Sequence, residues 1–64
     1  MQVNGEKFVL QESQVLLDFL QQKGYEISRI AVEINGVIIP KKDYATYRLH
    51  DEDLLEIVAF MGGG

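Results

Sequence analysis

The three glycines Gly62, Gly63 and Gly64 are the part of the chain best suited to chemistry. Glycine loses more conformational entropy on ordering than any other residue and has no side chain to pack, so folding alone explains such a run poorly. A segment without side chains can enter a narrow groove, and the four residues from Met61 onward reach about 13 Å when extended. The carboxylate of Gly64 could then react in another protein's active site. A frayed end or a linker remnant is the competing interpretation.

The other polar side chains offer weaker candidates. His50 is the single histidine and there is no cysteine, so a metal site would depend on carboxylates with one imidazole at most. Ser13 has no partners for a catalytic triad and is predicted to cap a helix. The acidic run 51–53 lacks the glycine and the ligand spacing of a calcium loop and is predicted to be a solvated turn. We therefore expect no metal site and no bound cofactor.

Hydrophobic periodicity and turn signals predict a hairpin of two strands, one helix and then two or three further strands. Asn-Gly pairs at 4–5 and 35–36 are typical of type I′ turns, which need two residues with positive φ. The predicted helix covers residues 14–23 and ends at Gly24 in a left-handed position. Strands are predicted around the first turn, over residues 30–34 and 37–39, and over residues 54–60. Residues 41–47 are predicted to form an irregular segment or a single helical turn.

This order of elements predicts an α+β β-grasp fold, a mixed sheet of four or five strands packed on one main helix. The helix supplies the crossover that a parallel pair requires, so the last strand should lie beside the first. Residues 1–61 would form the domain and residues 62–64 a flexible tail. The predicted core sets Val15, Leu16, Phe19 and Leu20 against Val3, Phe8, Ile30, Val32, Ile34, Leu55 and Ile57.

Composition restricts the function classes. A chain of 64 residues with 47% hydrophobic and 25% charged residues fits one small globular domain. Its net charge of −4 disfavours nucleic acid, which needs concentrated lysine and arginine. We expect no secretion signal, no membrane span and a cytoplasmic location. A protein partner with a basic surface fits better, and we predict that it binds Phe60, Met61, Gly62 and Gly63, guided by Asp53 and Glu56.

These features together resemble a known family. The Asn4-Gly5 turn, the stretch 32–41 with Tyr44, the run 51–58 and the ending 60–64 are similar to the ubiquitin-like sulfur carriers of thiamine biosynthesis, the ThiS type. The molybdopterin-synthase small subunit is also similar, although such relatives tend to be longer. One departure is Ala59, where many relatives are expected to carry histidine, so no imidazole beside the tail can be required.

The resemblance implies that the chain is a protein cosubstrate and not itself an enzyme. An E1-like partner would use ATP to adenylate the Gly64 carboxylate, and a sulfur donor such as a cysteine desulfurase persulfide would convert it to a thiocarboxylate. A thiazole synthase would then take the sulfur. Three alternatives remain open at this point: a molybdopterin-type carrier, a ubiquitin-like modifier of lysines, and a passive interaction domain.

Overall fold

A computed structural model describes residues 1–10 and 12–60 of the chain. Within those residues, one α-helix packs on one sheet of five strands. The elements are β1 (Gln2–Val3), β2 (Glu6–Lys7), α1 (Leu16–Gln22), β3 (Ile30–Ile34), β4 (Val37–Ile38) and β5 (Leu54–Ala59), with short 3₁₀ turns at Ile27–Arg29 and Lys41–Asp43. The strand order is β2-β1-β5-β3-β4. Strand β1 runs parallel to β5 and the other neighbours are antiparallel, which confirms the predicted β-grasp fold.

Both Asn-Gly turns form as predicted. Asn4 and Gly5 have φ values of 51° and 85°, and Asn35 and Gly36 have values of 52° and 84°. Asparagine and glycine tolerate this left-handed region better than other residues, so each pair can reverse the chain within two residues. The first turn joins β1 to β2, and the second joins β3 to β4.

The helix begins later than predicted, at Leu16, and the cap assigned to Ser13 is wrong. Val15 is still extended and forms a bridge with Arg48. The first helical amides are satisfied by backbone carbonyls, because Leu16 donates to Tyr47 at 2.8 Å and Leu17 donates to Tyr44 at 2.9 Å. The Ser13 hydroxyl instead accepts a hydrogen bond from the Arg48 guanidinium at 3.0 Å. A neighbouring loop therefore takes the place of a side-chain cap.

The helix ends as predicted, at a glycine. Gly24 has a φ of 83°, its amide donates to the Gln21 carbonyl at 3.1 Å, and the Tyr25 amide donates to the Leu20 carbonyl at 3.0 Å. This pair of bonds is the Schellman motif, which satisfies carbonyls that the helix leaves without partners.

The core lies between the helix and one face of the sheet. Leu16, Phe19 and Leu20 are buried on the helix side, while Val15 and Phe8 are only half-buried. The sheet contributes the buried residues Val3, Ile30, Val32, Ile34, Leu55 and Ile57, as predicted. Four further residues, Met1, Ile39, Tyr44 and Leu49, complete the cluster. Burial raises the pKa of the Tyr44 hydroxyl, partly offset by a backbone hydrogen bond at Val32.

Strand β5 is held at the centre of the sheet by β3 on one side and by β1 on the other. The amide of Asn4 donates to the Leu55 carbonyl at 2.9 Å, after which the chain turns away from β5. The Asn4 side chain then continues the ladder, since its Nδ2 donates to the Ile57 carbonyl at 3.1 Å and its Oδ1 accepts from the Ile57 amide at 2.7 Å. One side-chain amide thus substitutes for the peptide group that a longer β1 would supply.

The bridge from Asn4 to β5 can be tested with the variant Asn4→Gly, which removes the amide and keeps a backbone that can adopt positive φ. We expect a loss of about 1–3 kcal/mol in the free energy of unfolding, because two partly buried hydrogen bonds disappear. Urea denaturation measures it. Glu6→Gly, at an exposed position whose side chain makes no hydrogen bond in the described structure, reports the cost of a new glycine alone. Equal losses in the two variants would show that the Asn4 amide contributes nothing.

Candidate functional site

Strand β5 leads directly to the predicted tail. The strand ends at Ala59, and the amide of Phe60 still donates to the Arg29 carbonyl at 2.7 Å. Met61, Gly62, Gly63 and Gly64, including the predicted acyl donor, lie outside the described residues. What the structure describes is therefore the base from which these residues continue, and that base is anchored to the sheet as far as Phe60.

Phe60 lies on the open face of the sheet, the face turned away from the helix. Along β5 the buried residues Leu55 and Ile57 alternate with exposed ones, and Phe60 shares its parity with Val58. Phe60 is 51% exposed and Val58 is 57% exposed. Phe60 is therefore accessible to a partner on this face.

Beside these two residues lies a shallow groove of about 390 Å³ on the same face. Its apolar wall on the neighbouring strands includes Ile38, which is 71% exposed. The lining residues are Ala31, Val32, Glu33, Ile38, Glu56, Val58 and Phe60. Adjacent exposed apolar side chains that are bordered by polar residues are a common sign of an interaction surface.

Glu56 also lies on this open face, as the predicted guide for a partner requires. The register of β3 and β5 sets it directly opposite Glu33. Like charges at opposed positions of an antiparallel pair destabilise a sheet. Among the described residues the ion pairs are Arg29 with Glu26 and His50 with Asp53, so neither glutamate has a cationic partner there.

Asp53, by contrast, is buried, which removes it from the surface that a partner could contact. Its Oδ1 accepts from the Asn35 side chain at 3.0 Å, and its Oδ2 accepts from the His50 amide at 2.9 Å. The carboxylate therefore joins the turn before β5 to the β3–β4 turn. Burial raises the pKa of the nearby Tyr47 hydroxyl, and the charge of Asp53 raises it further.

Asn35 in the second turn binds β5 through its side chain, as Asn4 in the first turn does. Asn35 Oδ1 accepts from the Leu54 amide at 3.0 Å, while its Nδ2 bonds Asp53. Asn35 thus binds the first residue of β5, and Asn4 binds the middle of the same strand. Sequence analysis assigned both asparagines to turns and missed this second role, because an Asn-Gly signal predicts backbone conformation and says nothing about the side-chain partner.

Glu33, Ile38 and Val58 were not singled out from the sequence as candidates for this face. The alternation of β3 sets Glu33 away from the core, but its position opposite Glu56 depends on the register between two strands far apart in the chain. Ile38 was predicted as part of an apolar strand, and it lies exposed on an edge strand of two residues.

The remaining candidates form no second site in the described residues. The His50 side chain is 68% exposed, and its Nδ1 lies 3.7 Å from Asp53 Oδ2. Across residues 1–10 and 12–60, no three His, Cys, Asp or Glu side chains come close enough to hold a metal ion. No helix in that part of the chain is long and apolar enough to cross a bilayer.

Comparison with known sequences extends over the whole chain. The model of the ThiS family matches residues 1–64. A thiazole synthase of Paramagnetospirillum magneticum is 42% identical over 62 residues, which cover 97% of this chain and 19% of that protein. The chain thus spans about a fifth of that relative's length. The protein ycf40 of Porphyra purpurea, described as uncharacterized, is 34% identical over 64 residues, which cover 100% of this chain and 90% of that protein.

Solved structures agree with these matches. The crystal structure of the thiamine biosynthesis protein ThiS from Geobacter metallireducens superposes with a TM-score of 0.81 at 29% identity, covering 98% of this chain and 96% of that one. A solution structure of a thiamine biosynthesis protein from the same organism gives a TM-score of 0.78 at 27% identity, covering 98% and 85%. Because the family match includes every residue from the first turn to the three glycines, the chain belongs to the ThiS family.

Proposed function

We propose that this protein is a sulfur carrier of thiamine biosynthesis, and that Gly64 carries the sulfur as a thiocarboxylate. The observation that carries the proposal is the match to the ThiS family over residues 1–64, which includes the three glycines. In this proposal the chain is a cosubstrate that partner enzymes load and unload in the cytoplasm. It binds no cofactor, and its adenylating partner consumes the ATP.

The first step activates a poor electrophile. An oxygen of the Gly64 carboxylate attacks the α-phosphorus of ATP, the bond to the β-phosphate oxygen breaks, and pyrophosphate leaves. The product is a mixed anhydride between the glycine carbonyl and AMP. The absence of side chains in residues 62–64 allows an E1-like enzyme to enclose this segment closely.

The second step replaces AMP by sulfur. Hydrosulfide attacking the carbonyl would expel AMP and give the thiocarboxylate directly. A persulfide from a cysteine desulfurase would attack through its terminal sulfur and give an acyl disulfide, which a second thiol then cleaves. In that case the second thiol and the cysteine sulfur of the desulfurase leave together as a disulfide. The transferred sulfur remains on Gly64 as the thiocarboxylate.

The proposed acceptor of the sulfur is a thiazole synthase. The support is that thiazole synthases from two bacteria contain a segment similar to this chain, at 42% and 31% identity. Solved relatives are named for thiamine biosynthesis. These names favour the thiamine pathway over the molybdopterin alternative, and a lysine modifier would differ in the nucleophile that receives the acyl group.

The described residues contribute by anchoring the base of the tail. Because the Phe60 amide is bonded to Arg29, the four residues that follow start from a fixed point on the sheet and reach about 13 Å. A tetrapeptide alone offers little binding area, so the adenylating enzyme must also contact the domain. We propose that it does so around Phe60, Met61 and Glu56, next to the tail residues Gly62 and Gly63.

The reactivity of Gly64 is tested by adding one residue after it, which converts the proposed acyl donor into an internal amide. With the adenylating enzyme, ATP and a sulfur source, the native protein should gain the mass of one oxygen replaced by one sulfur. Fragmentation in the mass spectrometer should assign the change to Gly64. The extended variant should remain folded, as judged by circular dichroism, and gain nothing.

Two results would contradict this proposal. One is equal modification of the extended variant, and the other is sulfur gained at a different residue of the native protein. The reaction requires a free carboxylate on Gly64. The control is therefore the intact mass of the protein isolated from its own cells, which checks that this starting material ends at Gly64. Attachment of the protein to lysines instead of sulfur gain would support the modifier alternative.

The contact at Phe60 is tested with Phe60→Glu, compared with Val9→Glu at another exposed apolar position, 82% exposed, that adds the same charge. We expect the KM of adenylation for the carrier to rise about tenfold in Phe60→Glu, since a docked apolar side chain is lost. Val9→Glu should leave the KM unchanged. Because Phe60 is half-exposed, the free energy of unfolding should change by about 0.5 kcal/mol or less. A large loss in the free energy of unfolding of the Phe60 variant, together with an unchanged KM of adenylation, would assign Phe60 to the core.

A further inference from the structure

The open face carries a pair of opposed like charges that does not stabilise the fold. Glu33 and Glu56 are directly opposed across β3 and β5, with their Cβ atoms about 5 Å apart as this geometry dictates. Ile38 lies opposite Glu33 on its other side, so one row across three strands reads apolar, acidic, acidic. Neither carboxylate has a hydrogen bond or an ion pair within the described residues.

The next row toward the tail is apolar. It pairs Ala31 with Val58, and Phe60 lies beyond it on the same face. Together the two rows form the groove of about 390 Å³. In the free protein Glu56 is exposed and Glu33 is half-buried. Apolar side chains would enclose both carboxylates when a partner covers the face.

The two carboxylates favour a partner that brings positive charge to this face. A second copy of the chain would bring two more carboxylates against these two, and like charges in a shielded interface repel strongly. Nucleic acid and anionic lipid are disfavoured for the same reason. An arginine fits, because its planar guanidinium presents five N–H donors that can bond two carboxylates, and its apolar stem can pack on neighbours such as Ile38 and Val58.

We infer that an arginine of the adenylating partner bridges Glu33 and Glu56 when the two proteins dock. The inference rests on the proposed function and names the contact that aligns the carrier with its adenylating enzyme. Strand geometry separates Glu56 from Phe60 by about 13 Å, so this contact and the start of the tail fall within one interface of ordinary size. The arginine would hold β5 in one orientation against the partner.

The test compares two double variants with the same net charge. Glu33→Gln with Glu56→Gln removes the opposed pair, and Glu12→Gln with Glu52→Gln removes two exposed carboxylates elsewhere. Each changes the net charge from −4 to −2, so long-range attraction to a basic partner falls equally. The measurements are the KM for the carrier in ATP–pyrophosphate exchange with the adenylating enzyme, and the melting temperature of the free carrier.

We expect the KM of the Glu33/Glu56 variant to rise at least about tenfold and that of the control by about twofold or less. The melting temperature of the Glu33/Glu56 variant should stay the same or rise, because a repulsion is removed. A structural role for the pair would lower the melting temperature instead. The single variants Glu33→Gln and Glu56→Gln provide the same comparison if the double variant is poorly folded.

Equal KM values for the two double variants would overturn the inference, because only long-range charge would then matter. If the native protein is adenylated normally in that experiment, the proposed function stands and only the bridging contact fails. If the native protein is not adenylated at all, the proposed function fails and the inference fails with it.

Discussion

Strand β5 organises both the core and the open face of this domain. It lies at the centre of the five strands, with β1 parallel on one side and β3 antiparallel on the other. Both two-residue turns place an asparagine side chain on it, Asn4 at Ile57 and Asn35 at Leu54. In a domain this small, where only about 60% of the unfolded chain's surface is buried, such side-chain hydrogen bonds between distant parts of the chain add order that a small core alone supplies poorly. They also fix the point from which the chain continues toward the glycines.

The same strand serves the core and the surface, because successive side chains of a strand point to opposite faces. Leu55 and Ile57 pack under the helix, while Glu56, Val58 and Phe60 form the open face. A slip of one residue would exchange the two sets, placing a glutamate in the core and two aliphatic residues in solvent. The asparagine bonds and the buried Asp53 oppose such a slip. The register that protects the core is therefore also the register that presents the proposed docking face.

Much of this fold could be predicted from local signals. The two Asn-Gly turns, the glycine at the helix end and the alternation of residues 30–34 act over a few residues, and each was confirmed. The start of the helix was misjudged because its first amides bond carbonyls of Tyr44 and Tyr47, which lie about thirty residues further along the chain. Asp53 was assigned to the surface because it follows two exposed acids, whereas its carboxylate binds Asn35. The pairing of Glu33 with Glu56 likewise depends on long-range register, and the tail itself lies outside the described residues.

We propose that sulfur carried on Gly64 moves from this protein to a thiazole product. A single turnover tests this transfer, with carrier that bears a heavy-sulfur label in its thiocarboxylate, mixed with the thiazole synthase and the remaining substrates. The label should leave Gly64 and appear in the thiazole, one sulfur for each carrier molecule unloaded. Unlabelled thiazole formed while the carrier keeps its label would show that the sulfur comes from elsewhere.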